Sequence, residues 1–150
     1  MFDRFPGEAK RALKFSREAG LRHGHDVIDT EHLLLGLLDV RGGASTRVAD
    51  EFCGGSAAVR EAVQKHIKPG TSASQGQIPF TPQAKRALEF VFHEAMSPAK
   101  QRPISLRLAP IIDGDVLLGL LQEPNGIAGR VLRELGLTTE LAREFLDAPE

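Results

Sequence analysis

The pentapeptide Leu-Leu-Gly-Leu-Leu occurs twice in this chain, at 34–38 and at 117–121, and nothing else in it restricts the fold as strongly. The first copy follows Thr30-Glu31-His32-Leu33 and the second follows Asp113-Gly114-Asp115-Val116, so a polar start suited to opening a helix precedes each apolar run. Runs that are apolar all round predict short helices buried on most of their faces. A second matched pair lies upstream, Ala-Lys-Arg-Ala-Leu at 9–13 and again at 84–88. The upstream copies stand 75 residues apart and the buried copies 83, which leaves eight extra residues between the first and second helices of the second unit. The 83-residue register then persists, with Gly43 facing Gly126, Arg47 facing Arg130 and Val48 facing Val131.

Each unit reads as four helices. Ala9, Ala12, Leu13 and Ser16 share one face of the first, as do Ala84, Ala87, Leu88, Val91 and Ala95 of its counterpart. Thr81 and Pro82 make a good start, whereas Pro6 and Gly7 make a poor one that is expected to fray. Glycine-containing turns at 41–43 and 124–126 lead into third helices that stop at Gly54 and Gly136. Ser56, and Thr138 or Thr139, then offer caps for fourth helices. The expected organisation is one domain over 1–150, with repeat 1 at about 1–68, a linker at 69–79 and repeat 2 at about 80–150. The eight-residue excess falls at 97–110, read as an ordered loop.

Composition narrows the function. With 41% hydrophobic residues among 150, the chain can bury a real core, and the single cysteine, Cys53, excludes an internal disulfide framework. No stretch of about 18 apolar residues suggests a membrane span. The start, Met1 to Pro6, lacks the basic and apolar regions of a secretory signal, so a cytoplasmic location is expected. Nineteen Lys+Arg against twenty Asp+Glu are interleaved, and there is no tryptophan or tyrosine, a poor footprint for nucleic acid. No Gly-x-x-x-x-Gly-Lys-Ser/Thr phosphate loop and no nucleophile motif is present, so neither catalysis nor a cofactor is expected. His23, His25 and His32, with Asp26, Asp29 and Glu31 nearby, match no standard zinc spacing, and no metal is expected. Cys53 aligns with Gly136 at a helix end and reads as a bystander.

Met1-Phe2 with Arg4-Phe5, Gly24-His25, Ile28, the run from Thr30 to Leu37, Ile78 to Pro82, and Gly126-Ile127-Ala128 with Val131-Leu132 together resemble the N-terminal repeat domain of bacterial Clp unfoldases, especially the ClpC type. That resemblance covers nearly the whole chain. It implies an all-α fold of two pseudo-symmetric four-helix Clp repeats packed together and joined by a loop. It further implies a non-catalytic module that binds substrates, adaptor proteins or peptides of the Clp degradation system, including cyclic peptides, as an accessory or decoy for a ClpC-type unfoldase. The alternative is the N-terminal recognition part of a full ATP-dependent Clp unfoldase.

In the ClpC type the start of each second helix can form a pocket for phosphorylated arginine, and Thr30 and Glu31 match that motif in the first repeat. Amides at a helix start suit a phosphoryl group and a carboxylate suits a guanidinium. Thr30 as a plain N-cap and Glu31 as a plain first-turn acid remain the competing reading. At the matching positions of the second repeat stand Asp113 and Gly114, an exchange that keeps a cap, repels phosphate and predicts a lost site. Phe2, Phe80 and Lys85 match a hydrophobic peptide-binding surface of the family. For Phe80 the alternative is a hydrophobic staple onto the helix that follows.

Overall fold

The structure, a computed structural model, describes residues 7–72, 77–95 and 111–148. Phe2, the start at Pro6 and the loop expected at 97–110 lie outside the described residues. Eight helices are described: α1 (Gly7–Arg22), α2 (Thr30–Leu38), α3 (Ala44–Phe52), α4 (Ser56–Gln64), α5 (Pro82–Ala95), α6 (Asp113–Gln122), α7 (Ile127–Glu134) and α8 (Thr139–Asp147). The order α1 to α4 is repeated by α5 to α8, and among the described residues the only β pairing is an isolated parallel bridge, Ile28 to Phe80.

The two apolar helices are the centre of the molecule. All nine residues of α2 are buried, as is α6 from Asp113 through Leu121. In each repeat the glycine of the apolar run lets this helix touch the backbone of its predecessor. A Cβ on Gly36 would stand 2.3 Å from the Ala12 carbonyl oxygen and 2.3 Å from Ser16 Oγ. One on Gly119 would stand 2.4 Å from the Ala87 carbonyl oxygen and 2.8 Å from Val91 Cγ2. The contacted residues are themselves repeat equivalents, so one steric requirement has been met twice by the same choice. Buried Ser16 satisfies its hydroxyl by donating to the Ala12 carbonyl, 2.7 Å away.

The repeats dock across these central helices, with α2 against α6 and α7, and α6 against α1 and α3. Leu34, Leu117, Leu132 and Leu137 are buried together in the shared core. At its edge Phe52 of α3 meets Phe145 of α8 edge-on, their centroids 5.8 Å apart. Gly54 and Gly136 follow α3 and α7 at φ 79° and 98°, where a side chain would be strained, so both helices stop there as expected. Ser56 differs from expectation. It is the first residue of α4, whose N-cap is Gly55 with no side-chain cap, and Asp50 Oδ1 accepts from its amide instead. Thr138 does cap α8, accepting from Leu141 N at 3.1 Å.

Candidate functional site at the start of the buried helix

The cap of α2 is Asp29 rather than Thr30. Asp29 has extended backbone, its Oδ1 accepts from Thr30 N at 2.8 Å, and its own amide donates to His32 Nδ1 at 2.8 Å. Thr81 Oγ1 donates to the same Asp29 Oδ1 at 2.8 Å while accepting from Ala84 N, so one hydroxyl caps α5 and ties it to α2. Beside it Ile28 N donates to the Pro79 carbonyl and Thr81 N to the Ile28 carbonyl, which stitches the end of the linker onto the first repeat.

With Asp29 capping, Thr30 is free for a different task. It is fully buried, and its Oγ1 accepts from Ala128 N, 3.3 Å away in the first turn of α7. The N-cap of α7 is Gly126, which supplies no side-chain acceptor, so the first repeat provides one for the second. Gly126 is required there, since a Cβ would fall 2.8 Å from Thr30 Oγ1 and Cγ2.

The same exchange runs in the other direction. Ile112 is the N-cap of α6 and its amide donates to Asp115 Oδ2 at 3.0 Å, as Asp29 donates to His32. Asp113 therefore does not cap its own helix. Its Oδ1 accepts from Ala44 N at 3.1 Å and its Oδ2 from Ser45 N at 2.9 Å, at the start of α3. Gly43, the N-cap of α3, has no side chain to offer. Where Thr30 places a neutral hydroxyl, Asp113 places a carboxylate with two amides on it. Glu8, near the start of α1, has its carboxyl held above the usual range by burial and then by neighbouring Asp113, with Arg11 and Arg47 pulling the other way.

Glu31 is 8% exposed, and its Oε1 is buried without a hydrogen-bond partner. Burial pushes its carboxyl up to about 7, and the carboxylate of Asp29 adds to the effect, while its own backbone amide and the imidazole of His25 oppose it. The dipole alone would have favoured ionised Glu31 at a solvated helix start. Desolvation outweighs that here.

Phe80 is half-buried and packs against the core one residue before the Thr81 cap, but the position a staple would pair it with is the exposed Lys85, and its bridge to Ile28 sets it two residues from the α2 start. Lys85 is exposed. Cys53 is buried and burial raises its thiol, which makes it a poor nucleophile. Among the described residues no three His, Cys, Asp or Glu side chains converge in a way that could hold a metal ion. His25 and His32 instead bond each other, with Nδ1 of the first 2.7 Å from Nε2 of the second.

Sequence reasoning assigned Thr30 and Glu31 to one pocket and Phe80 to a separate surface, missed Asp29 as the cap of α2, and missed that each second helix serves the opposite repeat. A signal was present. Gly43 and Gly126 are equivalent helix starts with no capping side chain of their own, and each had to find an acceptor elsewhere.

Residues 4–102 match the family model of the Clp repeat (R) N-terminal domain. The chain is 35% identical over 144 residues to the negative regulator of genetic competence ClpC/MecB of Bacillus subtilis, covering 96% of this chain and 17% of that protein. It is 37% identical over 136 residues to the chloroplastic chaperone protein ClpC2 of Arabidopsis thaliana, covering 91% and 13%. The chain thus spans less than a fifth of the length of these relatives. Among solved structures, the N-terminal domain of the Clp protease-associated chaperone ClpD from Arabidopsis thaliana superposes with a TM-score of 0.68 at 25% identity, over 97% of this chain and 94% of that one. The N-terminal domain of the ClpV1 ATPase from E. coli shares the fold, with a TM-score of 0.68 at 20% identity over 95% and 83%. Among the described residues no helix is long and apolar enough to cross a membrane.

Proposed function

The chain belongs to the Clp repeat N-terminal domain family, and from that premise we propose that it is a non-catalytic recognition module which captures phosphorylated arginine on protein or peptide ligands of the Clp system. The observation that carries this reading is Glu31. A carboxyl group nine-tenths buried, with one oxygen unpartnered, is costly in the free protein by desolvation, and it sits at a helix start where a guanidinium would complete it. The phosphoryl group would lie toward the start of α7, whose N-cap Gly126 supplies no side-chain acceptor and where the Ala128 amide is met by the neutral Thr30 hydroxyl rather than by a carboxylate.

The second repeat has no vacancy for such a ligand. Asp113 fills the pole of α3 with the chain's own carboxylate, and Leu146 lies where a side chain on residue 114 would have to go. A Cβ on Gly114 would stand 2.7 Å from Leu146 Cδ2 and 3.3 Å from Ala44 Cβ. One ligand per chain follows. Phe80, with Phe2 and the exposed Lys85, would line a peptide surface on which adaptors or cyclic peptides dock.

Calorimetric titration of free phosphoarginine into the protein and into Glu31→Ala tests this. One-site binding that the substitution removes is the expected result. No binding, or binding indifferent to Glu31, refutes it. A cytoplasmic accessory or decoy, and the front part of an ATP-dependent unfoldase, would use the same seat. The length of the relatives favours weighing the second, and a reading frame that runs past Glu150 into a phosphate-loop motif decides for it.

A further inference from the structure

Two histidines of the first repeat, His25 before α2 and His32 within it, form a hydrogen-bond chain whose proton positions are determined by its ends. A backbone amide can only donate, so the amide of Asp29, 2.8 Å from His32 Nδ1, requires that nitrogen to be unprotonated. Neutral His32 therefore carries its proton on Nε2 and donates it across 2.7 Å to His25 Nδ1. His25 in turn carries its proton on Nε2 and donates to the Lys68 carbonyl at 2.6 Å. The relay runs from the cap of α2 to the beginning of the linker, and every member points the same way.

The backbone closes around this relay. Gly70 N donates to the His23 carbonyl at 2.7 Å and Ser72 N to the Gly24 carbonyl at 2.8 Å, so residues 68–72 lie along the loop that joins α1 to α2. The approach is tight enough that both glycines are needed. A Cβ on Gly24 would fall 2.5 Å from the Gly70 carbonyl oxygen, and one on Gly70 would fall 2.7 Å from His25 Cδ2. At φ 72° Gly24 also holds a conformation that other residues resist.

This relay has no room for another proton. On His25 it would set an N–H against the N–H of His32. Reversing the His32 tautomer to accept it would set a second N–H against Asp29 N. We propose that the His25–His32 pair is a proton-operated clasp, in which an added proton breaks the relay, at the His25–His32 bond or at the Asp29 amide, and loosens the 23–25 loop, with residues 68–72 bonded to it, from the start of the buried helix. The charged and titratable groups facing the pair are His23 at the end of α1, stacked 6.1 Å from His25, Asp29 and Glu31 at the start of α2, and Lys68 on the linker, which contributes its carbonyl. α5 contributes only the uncharged Thr81 hydroxyl, on Asp29. His32 already resists protonation, since burial first and then the neighbouring His25 hold it down at about 4. The clasp does not depend on what the Glu31 seat binds.

Amide hydrogen exchange of Asp29, whose amide donates to His32 Nδ1, followed in the full chain by NMR from pH 7.5 to 5 and corrected for intrinsic exchange, reads the clasp directly. The expected result is a loss of protection of tenfold or more on acidification, with a midpoint matching the imidazole nitrogen shifts of His25. In His25→Asn, whose amide oxygen can accept from His32 but takes no proton in this range, protection should be independent of pH. Unchanged protection in the wild-type chain down to pH 5, or an equal loss in both proteins, overturns the proposal. If the variant lacks protection even at pH 7.5, the wild-type comparison still decides, because loss of Asp29 protection at a pH where neither His25 nor His32 changes its nitrogen shifts would also refute it.

Discussion

Replacing Glu31 with glutamine should stabilise this protein at alkaline pH and leave it nearly unchanged in acid. The carboxyl is held at about 7 in the folded chain against an ordinary 4.5, so above pH 7 folding places an ionised group where burial opposes it. For a carboxyl raised in this way the favourable contribution is present below pH 4.5 and is lost as pH rises through 7. A displacement of about 2.5 pH units, at about 1.4 kcal/mol per unit, corresponds to about 3 kcal/mol. Glutamine keeps the shape and cannot ionise, so Glu31→Gln should exceed the wild type by up to about 3 kcal/mol at pH 8 and by about zero at pH 4. Urea unfolding followed by far-ultraviolet circular dichroism at both values is the suitable assay, because the chain has no tryptophan or tyrosine to report by fluorescence. A variant less stable than the wild type at pH 8, or a difference that does not vary with pH, would refute the reasoning. The same substitution should weaken phosphoarginine binding. Stability gained where function is lost would identify Glu31 as a group kept for a ligand.

His32 has the opposite sign. With its imidazole held at about 4 against an ordinary 6.5, its contribution is complete above pH 6.5 and is lost as pH falls toward 4, so in wild type it offsets the Glu31 slope. In Glu31→Gln, unfolding titrations between pH 6.5 and 4.5 should therefore reveal a steep fall in stability with acidification, where the wild-type profile is flatter. Gly36→Ala, which sets a methyl 2.3 Å from the Ala12 carbonyl oxygen, should cost about 2 to 3 kcal/mol in urea unfolding, and a neutral result would mean that α1 and α2 can separate freely. Asp113→Ala leaves the amides of Ala44 and Ser45 without their acceptor and should cost about 2 kcal/mol, with faster amide exchange at those two residues as the local signature.

Much of the fold could be read from the repeats alone, because helix burial is set by local pattern. A nine-residue helix with no polar face has to be central, and the glycine within it had to mark a close crossing whatever its partner was. Thr81, Thr138, Gly54 and Gly136 are similar, since caps and stops act within a few residues of chain. Ser56 shows the limit even of that, because Gly55 at φ 110° took the cap position and displaced it into the helix.

The candidate site was legible only as a set of residue types. A hydroxyl and a carboxylate at 30 and 31 are visible in sequence, and so is their replacement at 113 and 114. What tertiary structure alone decided is direction. Thr30 and Asp113 each serve a helix start in the opposite repeat, 98 and about 69 residues away, because docking across the pseudo-twofold brings glycine-capped ends against them. Packing made Glu31 a buried acid instead of a solvated one, and contacts within the first repeat gave the His25–His32 relay its single proton order. Local sequence specifies which groups can donate, accept or ionise, but their partners and their solvation are properties of the packed molecule.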